Sequence, residues 1–277
     1  MNEVRLPSGE KVPALGQGTW KMAEDSRLRQ EEIATLRLGI ELGATLIDTA
    51  EMYADGKAEQ LVGEAIQGIR KKVFLVSKVY PHNASRRSTE AACERSLKRL
   101  RVDQIDLYLL HWPGSVPIAE TVEGFMALKQ AGKIRYYGVS NFDRDEMEEL
   151  WAAEGGQEVA TNQVLYNLSR RGIELGLIPW LRERNVPLMA YSPLEQARLV
   201  QDKRLGEFAR RTGRTAAQAA LAWLLAKPDV MVIPKSANRE RLKENMGALQ
   251  QPLSDEELEE LERLFPRPME AGALEML

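Results

Sequence analysis

Eight short apolar runs rich in β-branched residues recur along the 277-residue chain, and amphipathic stretches separate them. The runs span residues 15–18, 45–48, 73–78, 105–110, 134–139, 160–165, 187–191 and 230–233. Continuous apolar runs such as Val73-Phe74-Leu75-Val76 indicate parallel strands that are buried on both faces. The pattern therefore predicts eight strands of one parallel sheet.

The stretches between these runs have helical periodicity. Ile33, Leu36 and Ile40 fall on one face at spacings of three and four. Three pairs have the spacing of a helix-capping box: Asp143 with Glu146, Thr215 with Gln218, and Ser254 with Glu257. Strict alternation of strand and helix implies right-handed crossovers, and eight such units favour a closed (β/α)8 TIM barrel of the α/β class. An open doubly wound sheet is the alternative.

Further elements are predicted at the two ends of the barrel sequence. The tight-turn sequence Pro7-Ser8-Gly9-Glu10 predicts a β-hairpin within residues 4–20 that caps one end of the barrel. Helical segments 207–212 and 215–227 stand in tandem before the last strand, and residues 254–264 predict an extra C-terminal helix. No shift in composition and no linker divides the chain, so we expect a single domain over residues 1–277.

The composition excludes several classes of protein. A formal net charge of −3 argues against a general nucleic-acid binder or a basic membrane-surface protein. Cys93 is the one cysteine, so no intrachain disulfide forms, and the two histidines nearly exclude a metal site built on several histidine ligands. We see neither a signal peptide nor an apolar run of about 18 residues. We therefore expect a cytoplasmic monomer that binds neither membrane nor metal.

Candidate chemistry lies at the C-terminal ends of the predicted strands, where barrel enzymes place their active sites. Asp48, Lys78 and His111 end three strands, and Tyr53 follows the first of these in a loop. Each alone has an ordinary structural explanation, as a cap, a solvated charge, a hydrogen-bonding core residue or a packed ring. Their convergence on one barrel mouth favours a functional role.

Together the four side chains suit proton donation to a carbonyl oxygen. A tyrosine has a pKa of about 10, and a nearby ammonium stabilises the phenolate and lowers that pKa. Lys78 supplies the ammonium, Asp48 anchors it, and His111 orients the substrate oxygen. Reduction also needs a hydride, which no side chain provides, so the set predicts a nicotinamide cofactor.

The chain resembles the aldo-keto reductase family along essentially its whole length, and is nearest to the bacterial reductases of small aldehydes such as methylglyoxal. The resemblance rests on an ordered series of motifs: Ile47-Asp48-Thr49-Ala50, Tyr53, Glu59-Gln60-Leu61-Val62-Gly63, Val76-Ser77-Lys78, Asp106-Leu107-Tyr108-Leu109-Leu110-His111-Trp112-Pro113, Gly138-Val139-Ser140-Asn141, Asn162-Gln163-Val164, Ala190-Tyr191-Ser192-Pro193-Leu194 and Ile233-Pro234-Lys235-Ser236. It implies the same barrel, and a catalytic tetrad of Asp48, Tyr53, Lys78 and His111 in which Tyr53 is the acid.

The resemblance also implies how NADPH is held. Tyr191 is expected to stack on the nicotinamide, and Ser140, Asn141 and Gln163 to hold its carboxamide. Ser192 and Leu194 are expected at the pyrophosphate, Lys235, Ser236 and Arg241 at the 2′-phosphate, and Glu244 and Asn245 at the adenine. Trp20 and Trp112 are expected to wall the substrate pocket, with Met52 and Tyr80 equally open to a packing role.

The residues themselves give independent support for NADPH. Asn238 is a plausible start for the last barrel helix, which puts Arg241 in its first turn, where a phosphate is favoured. A solvated basic face is the alternative, because Arg239 and Lys243 are also present. No Gly-x-Gly-x-x-Gly follows a strand, which counts against a Rossmann dehydrogenase.

One departure from the family pattern leaves a local structure open. Glu195-Gln196-Ala197 replaces the glycines that are common in the family after Leu194, so the fold of the loop 195–203 is not predicted. Two other functions remain open: an NADPH-binding redox-sensing barrel with little turnover, and a lyase that uses Lys78 as a Schiff-base nucleophile. The lyase has no use for the basic residues 235–241.

Overall fold

The chain alternates strands and helices as predicted, in a computed structural model that describes residues 2–270 and 272–277; Met1 and Ala271 lie outside the described residues. The strands are β1 (Glu3–Arg5), β2 (Lys11–Pro13), β3 (Gln17–Gly18), β4 (Leu46–Asp48), β5 (Phe74–Val79), β6 (Ile105–Leu110), β7 (Ile134–Ser140), β8 (Asn162–Leu165), β9 (Leu188–Tyr191) and β10 (Val230–Val232). The helices are α1 (Arg29–Glu41), α2 (Lys57–Ile66), α3 (Arg86–Leu100), α4 (Ile118–Gln130), α5 (Arg144–Ala152), α6 (Leu177–Glu183), α7 (Lys203–Arg211), α8 (Ala216–Leu225), α9 (Arg239–Gly247) and α10 (Asp255–Leu264).

Strands β3 to β10 form one parallel sheet in chain order, and its two edges meet. Gly16 N donates to Val232 O at 2.8 Å, and Gly18 N donates to Pro234 O at 3.0 Å. These bonds close the sheet, so the predicted (β/α)8 barrel is confirmed and the open doubly wound sheet is excluded. Every residue of β5 and of β6 is buried, as expected for strands covered on both faces.

The hairpin closes the N-terminal end of the barrel. Strands β1 and β2 pair antiparallel around a turn in which Gly9 has a φ of +89°. The Glu10 carboxylate beyond the turn accepts hydrogen bonds from Tyr136 OH at 2.6 Å and from Arg135 Nη2 at 2.5 Å, near the start of β7. The opposite end, where the strands finish, is therefore left open for a site.

Helix caps agree with the sequence, and one corrects it. The three predicted capping boxes, which begin α5, α8 and α10, are all formed. Helix α7 begins at Lys203 rather than at the predicted residue 207, because the Asp202 carboxylate caps it through the backbone N–H groups of Arg204 and Leu205. Arg211 pairs with Glu260 and so fixes the extra C-terminal helix α10 beside α7.

No helix in the described part of the chain is long and apolar enough to cross a membrane.

Helix α2 lies directly against the end of α3 at Gly63, which gives a first prediction. A Cβ atom at Gly63 would lie 2.5 Å from the Leu100 carbonyl oxygen and 2.8 Å from its carbon. Backbone atoms at a helix end do not yield easily, so we expect Gly63→Ala to lower the free energy of unfolding by about 1–3 kcal/mol in urea denaturation.

A second helical glycine supplies the matched control. A Cβ at Gly206 in α7 would meet no heavy atom within 4 Å. Alanine forms helix better than glycine by about 1 kcal/mol, so Gly206→Ala should raise the free energy of unfolding. Equal effects of the two substitutions would contradict the close approach of α2 to α3.

Candidate active site

A cavity of about 860 Å³ opens at the C-terminal end of the barrel. Its wall contains Asp48, Tyr53 and His111 of the predicted tetrad and both predicted pocket tryptophans, Trp20 and Trp112. It also contains every predicted cofactor residue: Ser140, Asn141, Gln163, Tyr191, Ser192, Leu194, Lys235, Ser236, Arg241, Glu244 and Asn245. Lys78 lies behind this wall with no exposed surface.

The Lys78 ammonium donates three hydrogen bonds inside the barrel. Nζ lies 2.8 Å from Asp48 Oδ2, 2.9 Å from Thr49 O and 3.1 Å from Tyr53 OH. A buried charge is stable only when it is paired and hydrogen-bonded, and here all three N–H donors have an acceptor. Burial lowers the pKa of Lys78, and the Asp48 carboxylate opposes that shift.

Tyr53 holds its phenol oxygen against this ammonium. Because the oxygen accepts from Lys78, the phenolic proton remains available to another acceptor. Burial raises the pKa of Tyr53 well above its ordinary value, and the Asp48 charge adds to the rise. The sequence analysis expected Lys78 to lower this pKa. That direction is wrong here, because desolvation is the larger effect and Asp48 offsets the Lys78 charge.

His111 stands edge-on to Tyr53, with ring centroids 5.7 Å apart. Burial lowers the pKa of His111 to about 2, and the Lys78 charge acts in the same direction. The imidazole is therefore neutral near pH 7. Its buried Nδ1 has no hydrogen-bond partner among the described residues. A neutral imidazole keeps one N–H, which is available for a ligand oxygen.

An amide network joins this tetrad to the predicted nicotinamide face. Gln163 Nε2 donates to Asp48 Oδ1 at 2.8 Å, so Gln163 also anchors the tetrad, a role that the sequence analysis did not assign. Asn141 Nδ2 donates to the His111 carbonyl at 3.1 Å, and Asn141 Oδ1 accepts from Tyr191 OH at 2.9 Å. The predicted carboxamide-binding residues therefore hold one another in place.

The basic residues near the start of α9 divide between two faces. Lys235 and Arg241 line the cavity and form no ion pair with a carboxylate in the described parts of the chain. Arg239 pairs with Glu31 at 2.9 Å and Lys243 with Glu240 at 2.9 Å, along a separate groove between α1 and α9. The alternative of one solvated basic face therefore fits Arg239 and Lys243 but not the other two cations.

The N-terminus of α9 lies beside these cavity cations. Asn238 caps the helix by accepting from Arg241 N at 3.0 Å, as the sequence predicted. Helix N-termini favour anions. The donor set of two cations and a capped helix start therefore fits a phosphate group.

The pocket walls largely follow expectation. Trp20 and Met52 pack around Tyr53 and line the cavity, so Met52 has both of its proposed roles. Tyr80 does not line the cavity; it meets Trp112 edge-on, with ring centroids 5.8 Å apart, and stacks on the exposed His82. The packing role is thus the one that fits Tyr80. Cys93 is buried in the core, and burial raises its pKa to about 12.

The loop that the sequence left open is held by a buried carboxylate. Glu195, Gln196 and Ala197 all have positive φ, of +50°, +52° and +72°. This region favours glycine, so the strain needs support from outside the loop. The Glu195 carboxylate accepts from Asn167 Nδ2 at 2.8 Å and from Arg170 Nη2 at 2.8 Å. Gln196 and Ala197 are thereby placed along the cavity wall.

The C-terminal tail also reaches the cavity, which the sequence analysis missed. Arg170 holds Glu275 by an ion pair of 2.5 Å, and Met276 and Leu277 line the cavity wall. Burial raises the pKa of Tyr191 to about 12, and a hydrogen bond from the Leu277 backbone opposes that rise. No local pattern marks this contact, because Arg170 and Glu275 lie more than a hundred residues apart.

Comparisons with known proteins agree with this geometry. A sequence profile described as the aldo/keto reductase family matches residues 14–265. The chain is 51% identical to methylglyoxal reductase YeaE of Escherichia coli (strain K12), over 99% of this chain and 98% of that protein. It is 33% identical to the glyoxal reductase of Bacillus subtilis (strain 168), over 96% of each.

Solved structures show the same likeness. The crystal structure of an aldo/keto reductase from Klebsiella pneumoniae in complex with NADP and acetate superposes with a TM-score of 0.97 and 49% identity, covering 100% of this chain and 99% of that one. The same identity and TM-score hold for a crystal structure of an aldo-keto reductase from that organism in complex with NADPH. The family resemblance and the barrel inferred from the sequence motifs are confirmed.

The neutral state of His111 predicts a pH dependence of stability. The unfolded chain binds a proton at this histidine below pH about 6.5, whereas the folded chain does not until pH falls to about 2. Stability is therefore lost as pH falls through this range. Between pH 7 and pH 5 this site should lower the free energy of unfolding by about 2 kcal/mol.

Urea denaturation at these two pH values tests the expectation. His111→Gln should reduce the loss of stability between pH 7 and pH 5 by that amount. His82→Gln, at the other and exposed histidine, should leave it as in the wild type. A loss in His111→Gln as large as that of the wild type would show that the imidazole is already protonated in the folded chain.

Proposed function

The chain belongs to the aldo/keto reductase family, and on that premise we propose that it reduces small aldehydes and ketones to alcohols with NADPH. The observation that carries the proposal is the buried Lys78 ammonium donating to the Tyr53 phenol oxygen at the floor of the cavity. This hydrogen bond leaves the Tyr53 phenolic proton facing the cavity. The same cavity is lined by Lys235 and Arg241, which have no carboxylate partner among the described residues and suit a phosphate group. The protein is thus an oxidoreductase of the aldehyde reductase type.

The lining residues fit the cofactor in their chemistry. NADPH supplies the hydride when it is bound. Tyr191 offers an aromatic face, and Ser140, Asn141 and Gln163 offer amide and hydroxyl partners for the carboxamide. Ser192 and Leu194 would border the pyrophosphate, and Glu244 and Asn245 the adenine. Lys235, Ser236 and Arg241 would hold the 2′-phosphate.

The proton follows from the chain's own residues. Tyr53 gives its phenolic proton to the carbonyl oxygen of the substrate as that oxygen gains negative charge. Lys78 then stabilises the phenolate left behind, and Asp48 keeps the ammonium in place. A positioned acid of this kind contributes about 10²- to 10⁴-fold to the rate.

His111 orients the substrate without exchanging a proton. Because its imidazole is neutral, it donates one hydrogen bond to the carbonyl oxygen and places that oxygen near the Tyr53 phenol. A cationic histidine beside Lys78 would compete with Tyr53 as the acid. The low pKa of His111 therefore favours Tyr53 over His111 as the acid.

The size of the substrate is limited by Trp20, Met52 and Trp112, which wall the cavity near Tyr53. The similar proteins from E. coli and B. subtilis are named methylglyoxal reductase and glyoxal reductase. We therefore place small aldehydes such as methylglyoxal first among the substrates. Few large apolar side chains are exposed among the described residues, which supports a monomer. A cytoplasmic location and a single domain over residues 1–277 complete the proposal.

The lyase alternative fits less well. Lys78 donates all three of its protons to other groups and does not line the cavity, so it is poorly placed to attack a carbonyl carbon. Borohydride trapping of a substrate on Lys78 without NADPH would support the lyase. Tight NADPH binding without turnover would support the redox-sensing barrel.

A substitution at the proposed acid tests the mechanism. We expect Tyr53→Phe to lower kcat for methylglyoxal by about 10²- to 10⁴-fold, because the proton donor is gone. The Kd for NADPH, measured by quenching of protein fluorescence, should stay within about twofold. Tyr80→Phe, outside the cavity, is the matched control and should keep its kcat. Retained activity in Tyr53→Phe would refute the assignment.

The phosphate site gives a second test. Arg241→Ala removes a charged hydrogen-bond donor worth about 1.5–3 kcal/mol, so the Kd for NADPH should rise about 10- to 100-fold. The Kd for NADH, which lacks the 2′-phosphate, should change little. Arg239→Ala, two residues away but paired with Glu31 on the outer face, should alter neither value. Equal weakening of both cofactors in Arg241→Ala would rule out the 2′-phosphate role.

A further inference from the structure

The Tyr53 turn, defined as Tyr53–Gly56, has a strained backbone conformation. Ala54, Asp55 and Gly56 follow one another in the left-handed region, with φ of +49°, +53° and +81°. Non-glycine residues are strained in this region, and they persist there only when the surroundings fix them. The conformation that presents Tyr53 must therefore be held from outside the turn.

We propose that Arg99, on α3 and outside the cavity, is a positioning residue that holds the Tyr53 turn; this inference rests on the proposed function. Arg99 Nε donates to Glu59 Oε2 at 2.5 Å, and Arg99 Nη2 lies 3.8 Å from Glu51 Oε2. Glu51 precedes the turn and Glu59 follows it in the first turn of α2. One guanidinium thus attaches both ends of the turn to α3.

The Arg99 side chain also supports the turn by direct contact. A Cβ atom at Gly56 would lie 2.6 Å from Arg99 Cδ and 2.8 Å from its Nε. The Gly56 backbone therefore rests on the arginine stem, in the space that a larger residue would need. The aliphatic part of the Arg99 side chain therefore contacts the turn at Gly56, and its guanidinium contacts the carboxylates of Glu51 and Glu59 at the two ends.

The two carboxylates that Arg99 contacts also accept hydrogen bonds from β5, which carries Lys78, and from the residues that follow it. Glu59 has no exposed surface, and its Oε1 accepts from Ser77 Oγ at 2.6 Å, next to Lys78 on β5. Glu51 is also buried, and its Oε1 accepts from Tyr80 N at 2.8 Å and from Asn83 Nδ2 at 3.0 Å. Arg99 is therefore joined to the strand of Lys78 as well as to the turn of Tyr53.

Loss of Arg99 should move the phenol rather than remove a chemical group. Glu59 would be left as an uncompensated buried charge, and the turn would lose its support. A displacement of about 1 Å between reacting groups costs about 10²-fold in rate. The cofactor walls belong to other strands, and of the three proposed substrate walls only Met52 adjoins the turn, so binding should change much less than catalysis.

The experiment compares two arginines of α3 in the full-length protein. We expect Arg99→Met to lower kcat about 30- to 100-fold, with KM for methylglyoxal and Kd for NADPH within about threefold. Arg99→Lys, which keeps a cation for Glu59, should recover part of kcat. Arg95→Met is the matched control: Arg95 lies 3.7 Å from the same Glu51 carboxylate but is largely exposed, and its loss should leave kcat within about twofold.

A double variant separates positioning from stability. Arg99→Met with Glu59→Gln removes both charges, so the uncompensated buried carboxylate is gone and the thermal stability should recover. If Arg99 positions the turn, kcat stays low in this variant. Recovery of kcat together with stability, or a folded Arg99→Met with unchanged kcat, would overturn the proposal.

A structural readout keeps this test independent of turnover. In a crystal structure of Arg99→Met, or of the double variant where the single one does not fold, the Lys78 Nζ to Tyr53 OH distance should exceed the 3.1 Å of the wild type. An unchanged distance would refute the inference. A wild type inactive toward every small carbonyl would instead refute the proposed function, and the distance would still decide the role of Arg99.

Discussion

The burial of one ammonium group sets the arrangement of the whole site. Lys78 lies inside the barrel with no exposed surface, and an unpaired charge there would cost several kcal/mol. Its three acceptors all come from one stretch of chain, the end of β4 and the loop after it. The parallel pairing of β4 with β5 brings that stretch beside Lys78. The position of Tyr53 is therefore a consequence of satisfying a buried lysine, and not only of the chemistry proposed for it.

Charges of alternating sign extend outward from this lysine. Asp48 balances Lys78, and Gln163 satisfies the second oxygen of Asp48. The buried Glu59 carboxylate is paired with the Arg99 guanidinium, and Arg99 is partly exposed to solvent. Lys78, Asp48 and Glu59 thus each have an opposite charge next to them, which is the condition under which ionised groups persist in a protein interior. Burial keeps His111 neutral, and the Lys78 charge acts in the same direction.

The sequence predicted the barrel from local patterns, and it predicted cavity residues from barrel topology and from the family resemblance. Continuous apolar runs identified the strands, and barrel topology then brought Asp48, Lys78 and His111 to one end. The predicted lowering of the Tyr53 pKa was wrong, because the prediction considered nearby charges and not the desolvation of the buried phenol. The loop at Glu195 was not predictable, since its left-handed backbone lacks glycine and depends on Arg170. The tail contact at Glu275 has no signal in its neighbouring residues.

The cations on α9 illustrate which features a sequence can predict and which it cannot. In a helix, residues four apart share a face, so Arg239 and Lys243 point the same way and Arg241 points away from both. Once Asn238 is recognised as the N-cap, the first residue of α9 is known. Only one face of this helix borders the barrel mouth. The separation of Arg241 from Arg239 and Lys243 is thus encoded by periodicity within one short segment. The support of the Tyr53 turn is not, because Arg99 meets Glu59 across forty residues and its role exists only after α2 and α3 have packed at Gly63.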